Sequence, residues 1–214
     1  MNYIADRRLE EKDRRRNDIL DAAESVASEA GIDRLTMEQV ARKARLSRAL
    51  IYVYFKDKTD LHFGLCERGI AILITRFEES VARHHSGAEQ LAAMGRAYVA
   101  FSQEFPVYFE ALSRFQAQDT DTPEAAGFVR MCMQRSARTH EIMTESIARG
   151  IQDGSIDRDI GVPAAVAMTL WGFMHGIIQL STTKAAILGE YQVTPMGLVE
   201  EALRLIRRGL RPVN

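Results

Sequence analysis

Cysteine is scarce in this sequence, which limits the classes of protein that it can encode. Only Cys66 and Cys132 occur among 214 residues, and their spacing matches no metal-binding motif. Both fall in segments predicted to be helical, so we expect reduced, buried thiols rather than a disulfide. The stretch before Asn17 is charged and has no apolar core, so no secretory signal is predicted. Together these features favour a cytoplasmic location.

Catalytic and sheet-forming patterns are also missing. We find no phosphate-binding loop, nucleophile elbow, helical pair of zinc-binding histidines or Cys-x-x-Cys motif. His84 and His85 are adjacent, so on a helix they would point about 100° apart and would not readily chelate one ion. We therefore expect no enzyme, cofactor or metal site, with a helical enzyme kept as an alternative. No segment alternates apolar and polar residues long enough to predict a strand, which favours an all-α fold.

One long segment without charge raises the question of a membrane span. Residues 162–183 contain no Asp, Glu, Lys or Arg. Hydroxyl and amide side chains and His175 are frequent for a lone span, however, and the flanks lack cationic and aromatic anchors. A helix that is apolar on most faces is explained more simply by burial against its own domain and a second subunit. We predict no membrane span.

Positive charge is concentrated in one part of the chain. The formal net charge of −1 neither favours nor excludes nucleic-acid binding. Between Gln39 and Lys58, however, six basic residues accompany the single acid Asp57, a local balance of +5. The basic residues are Arg42, Lys43, Arg45, Arg48, Lys56 and Lys58. A charge run alone is more typical of a solvated helix face, so its meaning depends on the structural context.

The basic stretch coincides with short predicted helices. Apolar residues keep helical spacing from Ile19 to Ala30, and Gly31 follows as a C-terminal stop. Thr36 and Gln39 have the spacing of a capping box, in which each side chain satisfies a backbone donor of the other residue. A second short helix is therefore predicted to begin after Thr36.

A tight turn leads from the second helix to a third. Ser47 is a favoured N-cap, and the third helix is predicted to run to about Tyr54, with Ile51 and Phe55 as core anchors. This arrangement is typical of a helix-turn-helix, which presents its last helix to the major groove of DNA.

Residues on the outward side of the third helix are candidates for base contacts. Arg48 has the donor geometry for a guanine edge, and Ala49 and Leu50 have methyl groups that fit against thymine. Tyr52 and Tyr54 have half-buried packing as an alternative role.

The rest of the chain is predicted to be helical, with about nine helices in all. Asp57 and Asp60 resemble a cap that opens a fourth helix, which continues to about Arg83. The later helices are predicted at about 87–104, 106–117, 123–153, 163–188 and 196–209. Prolines mark four of these starts, where the missing N–H would be unpaired anyway: Pro106, Pro123, Pro163 and Pro195.

The segment from Ile19 to Leu61 resembles the N-terminal domain of the TetR family of transcriptional regulators. The matching features are the alanine-rich first helix, Gly31, Leu35, Thr36, Val40, Ala41, Ser47, Ile51, Tyr52, Tyr54, Phe55, Lys58 and Leu61. Arg45 and Ala49 stand where the family commonly has glycine, which leaves the docking angle and the operator sequence open. If Arg45 is left-handed, it costs about 1 kcal/mol.

The resemblance implies a helix-turn-helix DNA-binding domain at 1–62 and a larger helical effector-binding and dimerisation domain at 63–214. It implies a ligand-responsive repressor that releases a palindromic operator when an effector binds. The residues placed at phosphates or nearby bases are Thr36, Ser47, Tyr52, Tyr54 and Lys58. Those placed where sequence is read are Arg48, Ala49 and Leu50, with a contribution from Gln39.

The second half resembles family C-terminal domains in the stretches FSQEFPVYFEAL and ARTHEIMTESIARGIQDGSIDRDIGVPAAVAMTLWGFMHGIIQL. The resemblance implies a homodimer, in which helices 163–188 and 196–209 form a four-helix bundle across the dimer axis. The second of these helices has an apolar stripe that we expect a partner to bury. Its members are Val199, Ala202, Leu203, Ile206 and Leu210.

The family also places an effector cavity inside the second domain. Candidate lining residues are Phe101, Phe105, Phe109, Phe115, Met131, Met168, Trp171 and His175. Their side chains imply a mainly apolar small molecule, such as an aromatic or acyl compound. Simple core packing is the alternative for each of them. A helical ligand-binding or protein-interaction module without DNA binding also stays open, but it leaves the caps and the local charge unexplained.

Overall fold

The computed structural model describes residues 3–114 and 123–212, with the side chains of 3–5, 123–129, 131 and 132 left out. Phe115 and the side chains of Met131 and Cys132 therefore lie outside the described residues. The described chain forms ten α-helices and a short 3₁₀ turn, Ile32–Arg34. The helices are α1 Tyr3–Ala30, α2 Met37–Ala44, α3 Arg48–Tyr54, α4 Lys58–Ala82, α5 Gly87–Glu104, α6 Pro106–Ser113, α7 Pro123–Asp153, α8 Pro163–Thr183, α9 Ala185–Glu190 and α10 Pro195–Gly209. The all-α prediction is confirmed, with one helix more than expected.

The chain divides into two compact units. The first unit comprises Met1–Ile70 and Phe105–Met133, and the second comprises Ala71–Glu104 and Gln134–Asn214. Each unit has its own buried side chains. Ile19, Ile51 and Phe55 are fully buried in the first unit, and Phe101 and Ile147 are fully buried in the second. Apolar burial of this kind provides the main driving force for folding each unit.

Helix α1 begins well before the apolar pattern that starts at Ile19. The residues before Ile19 are mostly arginine, lysine and acids, which favour the helix without needing a core. Arg16 connects this segment to the rest of the first unit. Its guanidinium lies 5.1 Å from the ring centroid of Phe55 and donates to Glu67 Oε2 at 2.9 Å. Arg16 and the two arginines before it, Arg14 and Arg15, all lie within α1.

The start of α5 packs closely against α7 in the second unit. A Cβ added at Gly87 would lie 2.2 Å from the carbonyl oxygen of Ser146, so only glycine fits there. The amide of Gly87 donates to Asp153 Oδ2 at 2.9 Å, and the amide of Ala88 donates to Ser155 Oγ at 3.1 Å. The end of α7 thus satisfies two backbone donors that the first turn of α5 leaves unpaired.

The predicted helix at 163–188 is wrong in its length, because α8 ends at Thr183 and α9 begins after Lys184. Three consecutive hydroxyl side chains precede the break. Ser181 and Thr182 donate to the carbonyl of Ile178 at 2.8 and 3.1 Å, and Thr183 donates to that of Gln179 at 2.7 Å. Hydroxyls that bond to carbonyls one turn back compete with the helix backbone. An apolar pattern alone does not register that competition.

Helix α8 is largely exposed in the isolated chain. By length and composition α8 could cross a membrane, and it is the only helix of the described residues that meets both criteria. Phe173 and Leu180 are exposed along α8.

The expected role of the α10 stripe needs correction, because Val199, Ala202 and Leu210 are already buried within this chain. A stripe shows that a face is covered, but it does not show which molecule covers it.

Candidate functional site

The turn between α2 and α3 is fixed by a left-handed residue. Arg45 has φ 56° and ψ 38°, which confirms the conformation considered from the sequence. Its amide donates to the carbonyl of Arg42 at 3.2 Å, and the next amide, that of Leu46, donates to Ala41 at 2.9 Å. These bonds end α2 and redirect the chain into α3. The left-handed conformation of a residue with a side chain lowers the stability of the folded state by about 1 kcal/mol.

Both helices of the motif are capped as the sequence predicts. The amide of Gln39 donates to Thr36 Oγ1 at 3.2 Å, and the amide of Thr36 donates to Gln39 Oε1 at 2.9 Å. The capping box is therefore confirmed. At the start of α3, Ser47 Oγ accepts from the amide of Leu50 at 3.2 Å. Each cap satisfies orphan donors and fixes where its helix begins.

Helix α3 has a buried side and an exposed side. Ile51 and Phe55 are fully buried, whereas Tyr52 is 42% exposed and Val53 is 72% exposed. Arg48 lies one turn before Tyr52 on the exposed side, with its guanidinium 5.7 Å from the Tyr52 ring centroid. A side-chain hydrogen bond with Tyr52 raises the pKa of Arg48, so its charge is maintained. The exposed side of α3 therefore presents a cation and an aromatic ring, and an α-helix fits the major groove of DNA.

Two lysines of the basic stretch 39–58 already have hydrogen-bond partners within the chain. Lys43 Nζ lies 2.6 Å from Glu29 Oε1 of α1, and this hydrogen bond lowers the pKa of Glu29. Lys58 Nζ donates to the carbonyl of Asp33 at 2.5 Å and thereby ties the start of α4 to the 3₁₀ turn. Because these partners are distant in sequence, charge counting alone did not detect them.

The predicted cap at the start of α4 is also present. The amide of Asp60 donates to Asp57 Oδ1 at 2.8 Å, and the amide of Lys56 donates to Asp60 Oδ2 at 2.9 Å. The two carboxylates satisfy backbone donors next to Lys58. These bonds fix where α4 begins.

The first unit brings all nine predicted DNA-contact residues together around α2, α3 and the start of α4. Six of them are exposed, and we call these six the recognition surface: Thr36, Ser47, Arg48, Ala49, Tyr52 and Lys58. The other three are half-buried: Gln39, Leu50 and Tyr54. Tyr54 thus fits the packing alternative in part. The contact roles themselves stay a prediction.

Helix α6 and the residue after it are bonded to α1, to the 3₁₀ turn and to α4 within the first unit. Tyr108 donates to Glu24 of α1 at 2.5 Å, and Arg114 lies 2.6 Å from Asp33. Burial and the hydrogen bond to Glu24 raise the pKa of Tyr108 to about 12, so the hydroxyl keeps its proton. His62 of α4 lies 3.1 Å from the carbonyl of Ala111, and burial lowers the pKa of this histidine. A neutral His62 therefore donates to α6.

The second unit contains a cavity of about 520 Å³. Its wall is contributed by α4, α5, α7, α8 and α10 and is mostly apolar. The apolar side chains include Met94, Met143, Trp171, Met174, Leu203 and Ile206. Methionine adapts its shape to irregular contents, so a wall with three methionines can fit ligands of different shapes. The volume falls within the range of about 300–1,000 Å³ that is typical of small-molecule sites.

Polar groups lie behind and within the apolar wall. Tyr98 lines the cavity, and its hydroxyl lies 2.8 Å from His175 Nδ1. Burial raises the pKa of Tyr98 and lowers the pKa of His175, so both side chains are neutral at pH 7. Trp171 lies between His175 and His140, with ring centroids 5.8 Å and 5.2 Å away. The bonded pair of Tyr98 and His175 thus provides a polar element without a charge next to the apolar wall.

The predicted effector residues do not all meet at this cavity. Trp171 lines it, whereas Phe101 is fully buried and Met168 is exposed. Phe105 and Phe109 belong to the first unit. His175 bonds to Tyr98, which lines the cavity. The other two predicted effector residues, Phe115 and Met131, lie outside the described side chains. Their proposed contacts with an effector stay predictions.

Sequence reasoning missed the residues of α5 and α10 that line the cavity. Leu203 and Ile206 line it, although their stripe was interpreted as a partner-binding face. Met94 and Tyr98 are one turn apart on α5, and this spacing was the only available signal.

Two family models match the chain. The model described as bacterial regulatory proteins of the tetR family matches residues 19–63, and the tetracyclin repressor-like C-terminal domain matches residues 91–205. The second match covers more than half of the chain. This chain belongs to the tetR family. The resemblance drawn from residues 19–61 is thus confirmed, and the family is one of regulatory proteins rather than enzymes.

Individual relatives agree with this assignment. An HTH-type transcriptional regulator of Staphylococcus aureus (strain USA300) is 30% identical over 74 residues, which cover 35% of this chain and 40% of the relative. A TetR/AcrR-family regulator from Thermobifida fusca has a TM-score of 0.72 at 22% identity, covering 92% of this chain and 99% of its own. The regulator FadR from Bacillus subtilis, solved in complex with stearoyl-CoA, has a TM-score of 0.69 at 20% identity, covering 91% and 98%. At these identities the solved structures show the fold alone.

Proposed function

We propose that this tetR-family protein is a cytoplasmic, sequence-specific DNA-binding transcriptional regulator that acts as a ligand-responsive repressor. The observation that carries the proposal is the recognition surface, because two capped helices joined by a short turn expose Arg48 and Tyr52 while Ile51 and Phe55 stay buried. We assign 1–62 to DNA binding and 63–214 to effector binding and dimerisation. A helical ligand-binding module without DNA binding would not require this surface.

The recognition surface divides into positioning and reading contacts. The N-caps Thr36 and Ser47 and the exposed Lys58 suit phosphate oxygens, since helix N-termini and lysine favour anions. Arg48 suits a guanine edge, and Ala49 suits a thymine methyl group. Gln39, Leu50, Tyr52 and Tyr54 complete the proposed contact set.

We propose a homodimer formed through α8 and α10. After the chain buries Val199 and Ala202 itself, Phe173 and Leu180 on α8 and Leu205 on α10 stay exposed. Burying these apolar side chains against a second copy is favourable at about 25 cal/mol per Å². A two-fold dimer presents two recognition surfaces, so the operator is a palindrome with half-sites about one helical turn apart.

The cavity of the second unit is the proposed effector site. Its volume and apolar wall suit a small molecule with a large apolar part. The structural similarity to FadR, which binds stearoyl-CoA in its solved complex, supports an acyl compound as one candidate. When the effector binds, the spacing of the two recognition surfaces changes and the operator is released.

Footprinting of the intergenic DNA beside the gene of this protein tests the proposal. We expect protection of a palindrome, and loss of that protection when an acyl compound that fits the cavity is added. Absence of protection at any sequence would overturn the DNA-binding assignment. Protection that no cavity ligand alters would leave a DNA-binding protein but overturn ligand-responsive repression.

A further inference from the structure

The mostly apolar wall of the cavity also contains basic side chains. Arg96 of α5 and Arg207 and Arg211 at the end of α10 all belong to its lining. All three side chains are exposed, so they lie where the cavity meets solvent. Helix α5 and the C-terminal region of α10 thus both contribute positive charge to the wall of one cavity.

Among the residues that the structure describes, these three arginines form no salt bridge. Nearby arginines behave differently: Arg204 pairs with Glu201 on its own helix, and Arg76 pairs with Glu104. An arginine without a carboxylate retains all five of its donors for an incoming anion.

Within the described part of the chain, the cavity lining has one acid, Glu89, and its carboxylate already accepts a hydrogen bond. Its carboxylate accepts from the amide of Ser86 at 3.2 Å, while Ser86 Oγ accepts from the amide of Glu89 at 3.3 Å. This reciprocal pair caps the start of α5, and the hydrogen bonds lower the pKa of Glu89. The Glu89 carboxylate therefore stabilises the start of α5, and the three arginines outnumber this one acid in the described lining.

We propose that the cavity binds an anionic amphiphile, a molecule with an apolar body and a carboxylate or phosphate group at one end. The apolar body lies among Met94, Met143 and Met174, and the anionic group lies against Arg96, Arg207 and Arg211. Guanidinium forks match both carboxylate and phosphate geometry, so the same arginines serve either group. This inference rests on the proposed effector role of the cavity and specifies the chemical class of the effector.

The test uses the fluorescence of Trp171, which is the only tryptophan of the protein and lines the cavity. Full-length protein is titrated, without DNA, with decanoate, decyl phosphate, decanol and decyltrimethylammonium, all below their micelle concentrations. We expect decanoate or decyl phosphate to bind about tenfold tighter than decanol, and the cation to bind weakest. Equal affinity for the anions and decanol would overturn the proposal. Comparing the two anions distinguishes a carboxylate from a phosphate ligand.

Variants locate the charge that confers the preference. The double variant Arg207→Ala with Arg211→Ala is expected to lose most of the preference for the anion while its affinity for decanol is unchanged. Arg208→Ala is the matched control, because Arg208 lies in the same turn but does not line the cavity. Retained decanol binding shows that the double variant is folded. The double variant Arg207→Lys with Arg211→Lys keeps both charges and is expected to keep part of the preference for the anion. An unchanged preference in the double variant would overturn the proposal.

This titration is independent of the proposed repressor function. Selective anion binding without any operator footprint would overturn the repressor and retain the ligand class. An operator footprint that responds to decanol as well as to decanoate would retain the repressor and overturn the ligand class.

Discussion

Helices α3 and α8 both expose large apolar side chains, but they do so in different electrostatic surroundings. On α3, Tyr52 and Val53 are exposed next to Arg48, and further basic residues lie nearby in the sequence. On α8, Phe173 and Leu180 are exposed within a stretch that has no Asp, Glu, Lys or Arg. Exposed apolar area alone does not identify its partner. The surrounding charge is the reason for proposing a polyanion as the partner of α3 and a second apolar surface as the partner of α8.

The largest expected effect concerns the buried side of α3. Phe55→Ala is expected to lower the free energy of unfolding by about 3–5 kcal/mol, because the Phe55 ring is fully buried. Val53→Ala is the matched control and should stay within about 0.5 kcal/mol of wild type, since that side chain is exposed. Urea denaturation followed by circular dichroism measures both. Similar losses in the two variants would contradict the assignment of buried and exposed sides.

The exposed side of α8 is tested by adding a charge. Phe173→Glu is expected to weaken dimerisation by about 2 kcal/mol or more, roughly thirtyfold, because a carboxylate would be desolvated in an apolar interface. Light scattering after size-exclusion chromatography at micromolar protein should then report a monomer. Gln152→Glu, at an exposed position of α7, is the control and should remain dimeric. A wild-type protein that is already monomeric would contradict the role given to α8.

The charged surroundings of α3 are tested first at Arg48. Arg48→Ala is expected to cost about 1–3 kcal/mol at the preferred base and to relax the preference at one operator position. Binding of a set of operators with single-base changes, followed by fluorescence anisotropy, measures this. A uniform loss over all sequences would instead place Arg48 at a phosphate.

Lys58 should show the opposite behaviour. Lys58→Ala is expected to weaken binding to every sequence by about 1 kcal/mol and to reduce the slope of log affinity against log salt by about 1. Because Lys58 also donates to the carbonyl of Asp33, thermal unfolding of the variant provides the control for folding. A sequence-dependent loss, or an unchanged salt slope, would count against a phosphate contact.

The smallest expected effect concerns the turn that orients α3. Arg45→Gly should raise the free energy of unfolding by up to about 1 kcal/mol, because glycine adopts φ 56° without a steric penalty but loses more backbone entropy on folding. Denaturant unfolding measures the change. A clear destabilisation would show that the Arg45 side chain makes a contribution larger than its strain.

Local features of the first unit were predictable from the sequence. The Thr36–Gln39 box, the Ser47 cap and the start of α4 depend on residues three or four apart, and each is found where it was expected. The buried anchors Ile51 and Phe55 follow from the same spacing. The ion pair between Lys43 and Glu29 depends on long-range packing, so no local pattern indicated it.

The second unit was less predictable because its cavity is assembled from five helices. The α10 stripe was correctly identified as apolar, but the chain itself buries Val199 and Ala202, and Leu203 lines the cavity. The break after Thr183 depends on hydroxyls that bond to backbone carbonyls, which hydropathy does not register. No sequence pattern predicted that one cavity would be lined by Arg96, Arg207 and Arg211, because Arg96 is more than 100 positions away from the other two.

The most direct test of the account compares binding of the purified protein to the candidate palindrome and to a scrambled duplex of equal length and composition. Fluorescence anisotropy at physiological salt is expected to show affinity at least about 10³-fold higher for the palindrome, with two chains bound per duplex at saturation. Equal affinity for the two duplexes would contradict the central claim that the recognition surface reads DNA sequence.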